Sequence, residues 1–152
     1  YRDIRPEEIP TAVLPGGGEV RVIAGKVVVD GREVAGPVQG LSTEPLYVDV
    51  RLPAGGQFAQ ALPAGHSAFV YAYEGSLAIG PADDFRPLAA QDAGVLAAGE
   101  GVEIHAGDSP VRFLLLAARP LGEPVAQHGP FVMNTREEIE QAIADYRNNR
   151  LV

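Results

Sequence analysis

Residues 129–139 read Gly129-Pro130-Phe131-Val132-Met133-Asn134-Thr135-Arg136-Glu137-Glu138-Ile139, an apolar connector running straight into a helix start. Thr135 stands where an N-cap belongs. Its hydroxyl can accept from the backbone N–H of Glu138 while the Glu138 carboxylate reaches back to the Thr135 N–H, a T-x-x-E capping box. Glu137 and Glu138 put negative charge in the first turn, where the helix macrodipole is positive. Ile139, Ala142, Ile143 and Tyr146 then recur at i, i+3, i+4 and i+7, with Glu140, Gln141, Asp145 and Arg147 outside that stripe. The spacing predicts one amphipathic helix, residues 135–148, closing the chain.

Upstream of it the pattern is that of strands. Val20–Ala24, Val27–Val29, Leu46–Leu52, Gln57–Leu62, Ala68–Tyr73, Ser76–Ile79, Val102–Ala106 and Val111–Ala117 are short runs rich in β-branched, aromatic or aliphatic residues. Gly, Pro, Asp and Asn punctuate them, and the even spacing argues for a closed β-structure over residues 1–134. Asp30-Gly31 is a hairpin signal, and Glu74-Gly75 before Ser76 reads as a second tight reversal. With 46% hydrophobic residues and no low-complexity tract, 18 Gly and 13 Pro are turn chemistry in a packed domain.

At 152 residues the chain suits one domain that can bury a core without staples. The absence of Cys excludes disulfides and thiolate metal sites. No run approaches the roughly 20 apolar residues of a membrane span, since Phe113–Ala118 is strand-length and bounded by Arg112 and Arg119. Tyr1-Arg2-Asp3 does not resemble a signal peptide, so a cytoplasmic setting is the expectation. Without an initiator Met, the chain is expected to start inside a longer product or to follow a removed segment. A net charge of −8, with one Lys and 11 Arg scattered along the sequence, gives no footprint for direct nucleic-acid binding. Gly16-Gly17-Gly18 lacks a phosphate-loop pattern and precedes a strand rather than a helix, so it is read as a turn.

Several blocks, in order, carry a family resemblance: Ile9-Pro10, Val20–Gly25, Gly36-Pro37-Val38, Tyr47–Val50, Val70-Tyr71 with Glu74-Gly75, and Phe113–Leu116. They continue through Pro120-Leu121-Gly122-Glu123-Pro124-Val125-Ala126 into Gly129–Thr135 and the final helix, and only Asn148–Val152 depart from the pattern. The chain resembles the C-terminal domain of the pirin family, a branch of the cupin superfamily. The resemblance implies an all-β, cupin-type β-sandwich or jelly-roll barrel with one C-terminal α-helix. It also implies two barrels stacked face to face in the complete protein, with iron held by three His and one Glu in the N-terminal barrel, which this chain lacks.

The same resemblance allows the iron ligands to be sought by counting. Back from Gly75, the ligand positions of a cupin first motif fall near Ala61, Pro63 and Ser67, none of which can bind a metal through its usual side chain. Sliding the register to use His66 puts Ala64 at the first His position and Val70 or Tyr71 where Glu is needed. No metal is therefore expected in this chain.

Other residues remain as candidates from their own positions. Glu103 and His105 share one face of a strand whose other face carries Val102 and Ile104. With His66 they form an imaginable facial metal set, set against the ordinary alternation of a half-exposed strand. Tyr71 and Tyr73, spaced i, i+2, could line a barrel mouth for a flat ligand or simply pack the sheet. His128 reads as a solvated turn residue, Asp83-Asp84 as loop chemistry, and Met133 as packing.

The expected function is that of a metal-free structural and interaction barrel. Phe131, Met133, Ile139, Ile143 and Tyr146 would dock on the N-terminal cupin of the same protein or on a second copy of this chain. By resemblance, the complete protein would be a quercetin 2,3-dioxygenase-like enzyme or a redox-responsive regulator that binds other proteins. The alternative is a stand-alone small-molecule-binding cupin with His66, Tyr71, Tyr73 and His105 in its pocket.

Overall fold

The computed structural model of the protein describes residues 2–81 and 83–150. Tyr1, Leu151 and Val152, which belong to the terminal segments read above, lie outside the described residues. A short 3-10 turn at Pro6–Glu8 precedes strands β1 (Thr11–Val13), β2 (Glu19–Ala24), β3 (Lys26–Val29), β4 (Arg32–Ala35) and β5 (Leu46–Leu52). Next come β6 (Gln57–Ala61), β7 (Ser67–Glu74), β8 (Leu77–Ile79), β9 (Arg86–Leu88) and β10 (Ala93–Val95). Strands β11 (Gly101–Ala106), β12 (Val111–Ala118), β13 (Ala126–His128) and β14 (Phe131–Met133) lead to helix α1 (Arg136–Arg147). The chain divides into two compact units, Tyr1–Pro120 and Leu121–Val152.

In the first unit a six-stranded sheet runs β1-β2-β5-β12-β7-β10 and a four-stranded sheet runs β6-β11-β8-β9, beside the β3-β4 hairpin. Strict alternation sets their register. Val20, Val22, Val48, Val50, Leu52, Val70, Ala72, Val111, Phe113 and Leu115 bury one face of the larger sheet, while Phe58, Val102, Ile104 and Ala106 bury one face of the smaller. Phe58 and Phe113 meet edge to face across the core, with centroids 5.9 Å apart. A one-residue slip of any long strand would turn this set outward, and each large apolar side chain is worth about 1.5–3 kcal/mol when buried. The fold of this unit is thus a two-sheet sandwich, the closed β-structure that the strand pattern implied and of the type that the resemblance implies.

Turn chemistry was legible in one place and misleading in another. Asp30 and Gly31, at φ 49° and 73°, close the β3-β4 hairpin with both central residues left-handed, the geometry that matches strand twist. Glu74-Gly75 is not a hairpin: β7 belongs to the larger sheet and β8 to the smaller, so the chain crosses between layers there. The strands of this unit absent from the sequence reading, β1, β4, β9 and β10, have only three or four residues each.

The second unit also departs from expectation. Ala126–His128 pairs antiparallel with Phe131–Met133, so the supposed connector is a hairpin turning at Gly129-Pro130. Asn134 Nδ2 donates to Glu123 Oε2 at 3.0 Å and to the Pro124 carbonyl at 2.9 Å. The capping box forms as read, with Glu138 N donating to Thr135 Oγ1 at 3.2 Å and Thr135 N donating to Glu138 Oε2 at 2.9 Å. The helix buries Ile139 and Ala142 and half-buries Ile143. Tyr146, read as the fourth member of the stripe, is 65% exposed and meets Phe131 edge to face.

Candidate functional site

The positions where the family pattern would place metal ligands carry Ala61 at the end of β6, Pro63 in the following loop and Ser67 at the start of β7, all exposed. Among the described residues no three His, Cys, Asp or Glu side chains are grouped so as to hold a metal ion. An iron site of three His and one Glu therefore does not fit the residues present.

His66 and His105 are held apart by the smaller sheet. Gly101 pairs with Ala61 and His105 with Gln57, so His105 lies four strand residues, about 13 Å, from the end of β6 that leads to His66. His105 projects from the outer face of β11. Its Nε2 donates to the Gly80 carbonyl at 3.1 Å, an assignment that follows because a carbonyl only accepts. The Phe85 ring packs on its imidazole at 4.6 Å, and Glu103 Oε2 is 4.0 Å from Nε2.

His66 instead follows the Pro63-Ala64-Gly65 turn, its N–H donating to the Pro63 carbonyl at 3.1 Å. Its side chain is 5% exposed and places Nε2 3.8 Å from Glu44 Oε2. The other Glu44 oxygen is 2.6 Å from Arg119 Nη2. Sequence reading missed both Glu44 and Arg119.

Tyr71 and Tyr73 stand on the outer face of the larger sheet, away from both histidines. Pairing register lays that face out in rows: Glu19, Arg51, Arg112, Glu74; then Arg21, Asp49, Leu114, Tyr71; then Tyr47, Leu116, Phe69, Val95. The first row is charged and the last is aromatic and aliphatic, with Phe69 and Val95 exposed. A trough of about 480 Å³ opens among Tyr47, Phe69, Val95 and Leu116, rimmed by Pro45 and Pro120. Tyr, Phe and Arg on one sheet face match the aromatic and Arg enrichment of protein interfaces.

Between the charged and apolar rows the β7–β12 register shifts at Arg112/Phe113, a bulge that re-aims a side chain. Tyr73 there donates its hydroxyl to Asp49 Oδ1 at 2.7 Å, and the Arg112 guanidinium lies 5.8 Å above its ring. Burial, reinforced by the hydrogen bond to Asp49 and its charge, pushes the Tyr73 phenol up to about 12. Because the raised value favours the protonated phenol in the folded state, the stabilisation is complete below the ordinary value of 10.0 and is lost as pH rises through about 12. The phenolate absorbance difference between the parent and Tyr73→Phe should therefore titrate near 12, and Asp49→Asn should lower that midpoint. A Tyr73 titration at the ordinary tyrosine value would refute the assignment.

The remaining sequence candidates lie in the second unit. Ile139 is buried, Phe131, Met133 and Ile143 are half-buried, and His128 is exposed at the end of β13.

The model of the Pirin C-terminal cupin domain matches residues 47–152. A Pseudomonas aeruginosa protein carrying the provisional name quercetin 2,3-dioxygenase is 44% identical over 152 residues, covering 99% of this chain and 52% of that protein. Pirin of Homo sapiens is 40% identical over 150 residues, covering 97% of this chain and 49% of pirin. The crystal structure of quercetin 2,3-dioxygenase from Acinetobacter baumannii superposes with a TM-score of 0.81 at 28% identity, over 99% of this chain and 50% of that one. The chain spans about half the length of the curated relatives it matches.

Proposed function

The chain belongs to the pirin family, matching its C-terminal cupin domain over residues 47–152, and from that premise we propose that it is the metal-free barrel of a pirin-like protein. Its role is to dock on an N-terminal, iron-bearing cupin of the same protein. The observation that carries this reading is the substitution of Ala61, Pro63 and Ser67 at the ligand positions, without a replacement cluster among the described residues. The docking surface is the outer face of the larger sheet, where Tyr47, Phe69, Leu116 and Val95 form an apolar row beside charged ones. Exposed Tyr146, half-buried Phe131, Met133 and Ile143, and the hairpin that carries two of them add a second contact region, whereas Ile139 is already buried.

The occupant is chosen from the relatives. This chain accounts for 52% and 49% of two of them, which leaves a domain-sized remainder to cover the sheet. The complete protein would then be a quercetin 2,3-dioxygenase-like enzyme, with iron and chemistry in that remainder, or a redox-responsive regulator of other proteins. The alternative of a four-residue pocket finds no support in the geometry, because His66, His105 and the Tyr71/Tyr73 pair occupy three separate surfaces.

The test is to load the purified chain anaerobically with ferrous iron, desalt it, and measure bound iron together with quercetin consumption. The expected outcome is no stoichiometric iron and no iron-dependent turnover. One tightly held iron per chain with turnover would overturn the reading.

A further inference from the structure

Beside the β6–β7 loop lies a cleft of about 600 Å³ lined by Leu41, Glu44, Leu46, Gln60, Pro63 and His66, among others. Its size and its mostly apolar wall with a few polar groups are those of a small-molecule site. The His66 side chain is 95% buried by the complement of its 5% exposure, and its Nδ1 is enclosed without a hydrogen-bond partner. The gap of 3.8 Å between Nε2 and Glu44 Oε2 is too long for a direct hydrogen bond, yet one oxygen about 2.8 Å from each atom would span it.

Glu44 is held at this gap from two sides. Its backbone sits at φ 46°, a left-handed conformation that a non-glycine residue adopts only when its surroundings impose it. Arg119 grips its other carboxylate oxygen at 2.6 Å, while the Arg119 backbone N–H donates to the Thr43 carbonyl at 2.8 Å.

The donor and acceptor balance selects the ligand. Glu44 Oε2 can only accept, so with His66 in its Nε2–H tautomer the bridging atom both accepts and donates, as a hydroxyl oxygen does. A carboxylate would face the Glu44 charge. An ammonium gains little, since Arg119 already compensates that charge, and two ligands do not make a metal site. We propose that this cleft binds a neutral alcohol with an apolar body, its hydroxyl bridging His66 Nε2 and Glu44 Oε2 and its body against Leu41, Leu46 and Pro63. This site adjoins the trough of the docking face, with which it shares Pro45 and Leu46, and goes beyond the metal-free reading.

The experiment follows histidine-ring nitrogen resonances of the full chain during titration with cyclohexanol, with cyclohexanecarboxylate and cyclohexylamine as charged counterparts of the same body. Cyclohexanol is expected to shift the His66 ring saturably and leave His105 and His128 unmoved, with both charged analogues weaker by at least about tenfold. Glu44→Gly removes the carboxylate while suiting the left-handed backbone, so a folded spectrum with cyclohexanol affinity reduced by at least about tenfold is expected. Absence of a saturable His66 shift would overturn the proposal, with water filling the gap. Equal or tighter binding of either charged analogue, or unchanged affinity in Glu44→Gly, would overturn it as well. None of these outcomes reports on iron, so this proposal and the metal-free reading fail independently.

Discussion

Phe113→Ala is expected to lower the unfolding free energy of the barrel by about 3–5 kcal/mol. Phe113 is fully buried on β12, which pairs with β5 on one side and β7 on the other, and its ring meets Phe58 of the opposite sheet. Truncation removes the transfer energy of the ring and leaves a cavity between two sheets whose hydrogen-bonded strands restrict collapse. Urea unfolding followed by far-ultraviolet circular dichroism measures the loss. Leu116→Ala, on the same strand but facing outward, is the control and should cost far less. Equal losses would contradict the inward and outward faces assigned to β12.

Gly75→Ala is expected to cost about 1–3 kcal/mol from backbone strain alone, with a steric contribution on top. Gly75 sits at φ 73°, and a Cβ there would lie 2.5 Å from the Pro110 carbonyl oxygen and 3.1 Å from Val111 Cγ1. The first contact is with backbone, so no side-chain rotation relieves it. Gly31→Ala supplies the comparison, because Gly31 has a similar φ of 73° but open space where its Cβ would go. Thermal unfolding should show the larger loss for Gly75→Ala, and the difference reports the close passage of the chain as it crosses from β7 to β8. Equal losses would show that left-handed strain accounts for the whole cost at both positions.

Sequence legibility followed the range of the interactions involved. The Thr135–Glu138 capping box spans three residues and was readable before any packing was known. Strands β5, β7 and β12 were readable because seven or eight residues alternate long enough to define a period. Strands β9 and β10 were not: each has three residues, and they carry Pro87 and Gly94, which weaken a strand signal. The Glu74-Gly75 corner misled because a left-handed glycine serves a layer crossing as readily as a hairpin, and β8 pairs with β9 and the more distant β11 rather than with β7.

The candidate sites divide in the same way. The residues at the ligand positions of the family pattern, Ala61, Pro63 and Ser67, could be counted from spacing, since a motif is local. Asp49 under Tyr73 depended on a bulge in the β7–β12 register, and Glu44 beside His66 depended on a left-handed residue 22 positions away. The signal in the sequence was slight, an acidic residue directly before Pro45, and it acquires meaning only when the loop is folded.

The most direct test of the two-barrel account is native mass spectrometry of the gene product isolated from its source cells. The account predicts a polypeptide of about twice the 16.0 kDa of this chain, as expected for a second domain of ordinary size, carrying a single iron. A gene product of 16.0 kDa would contradict it.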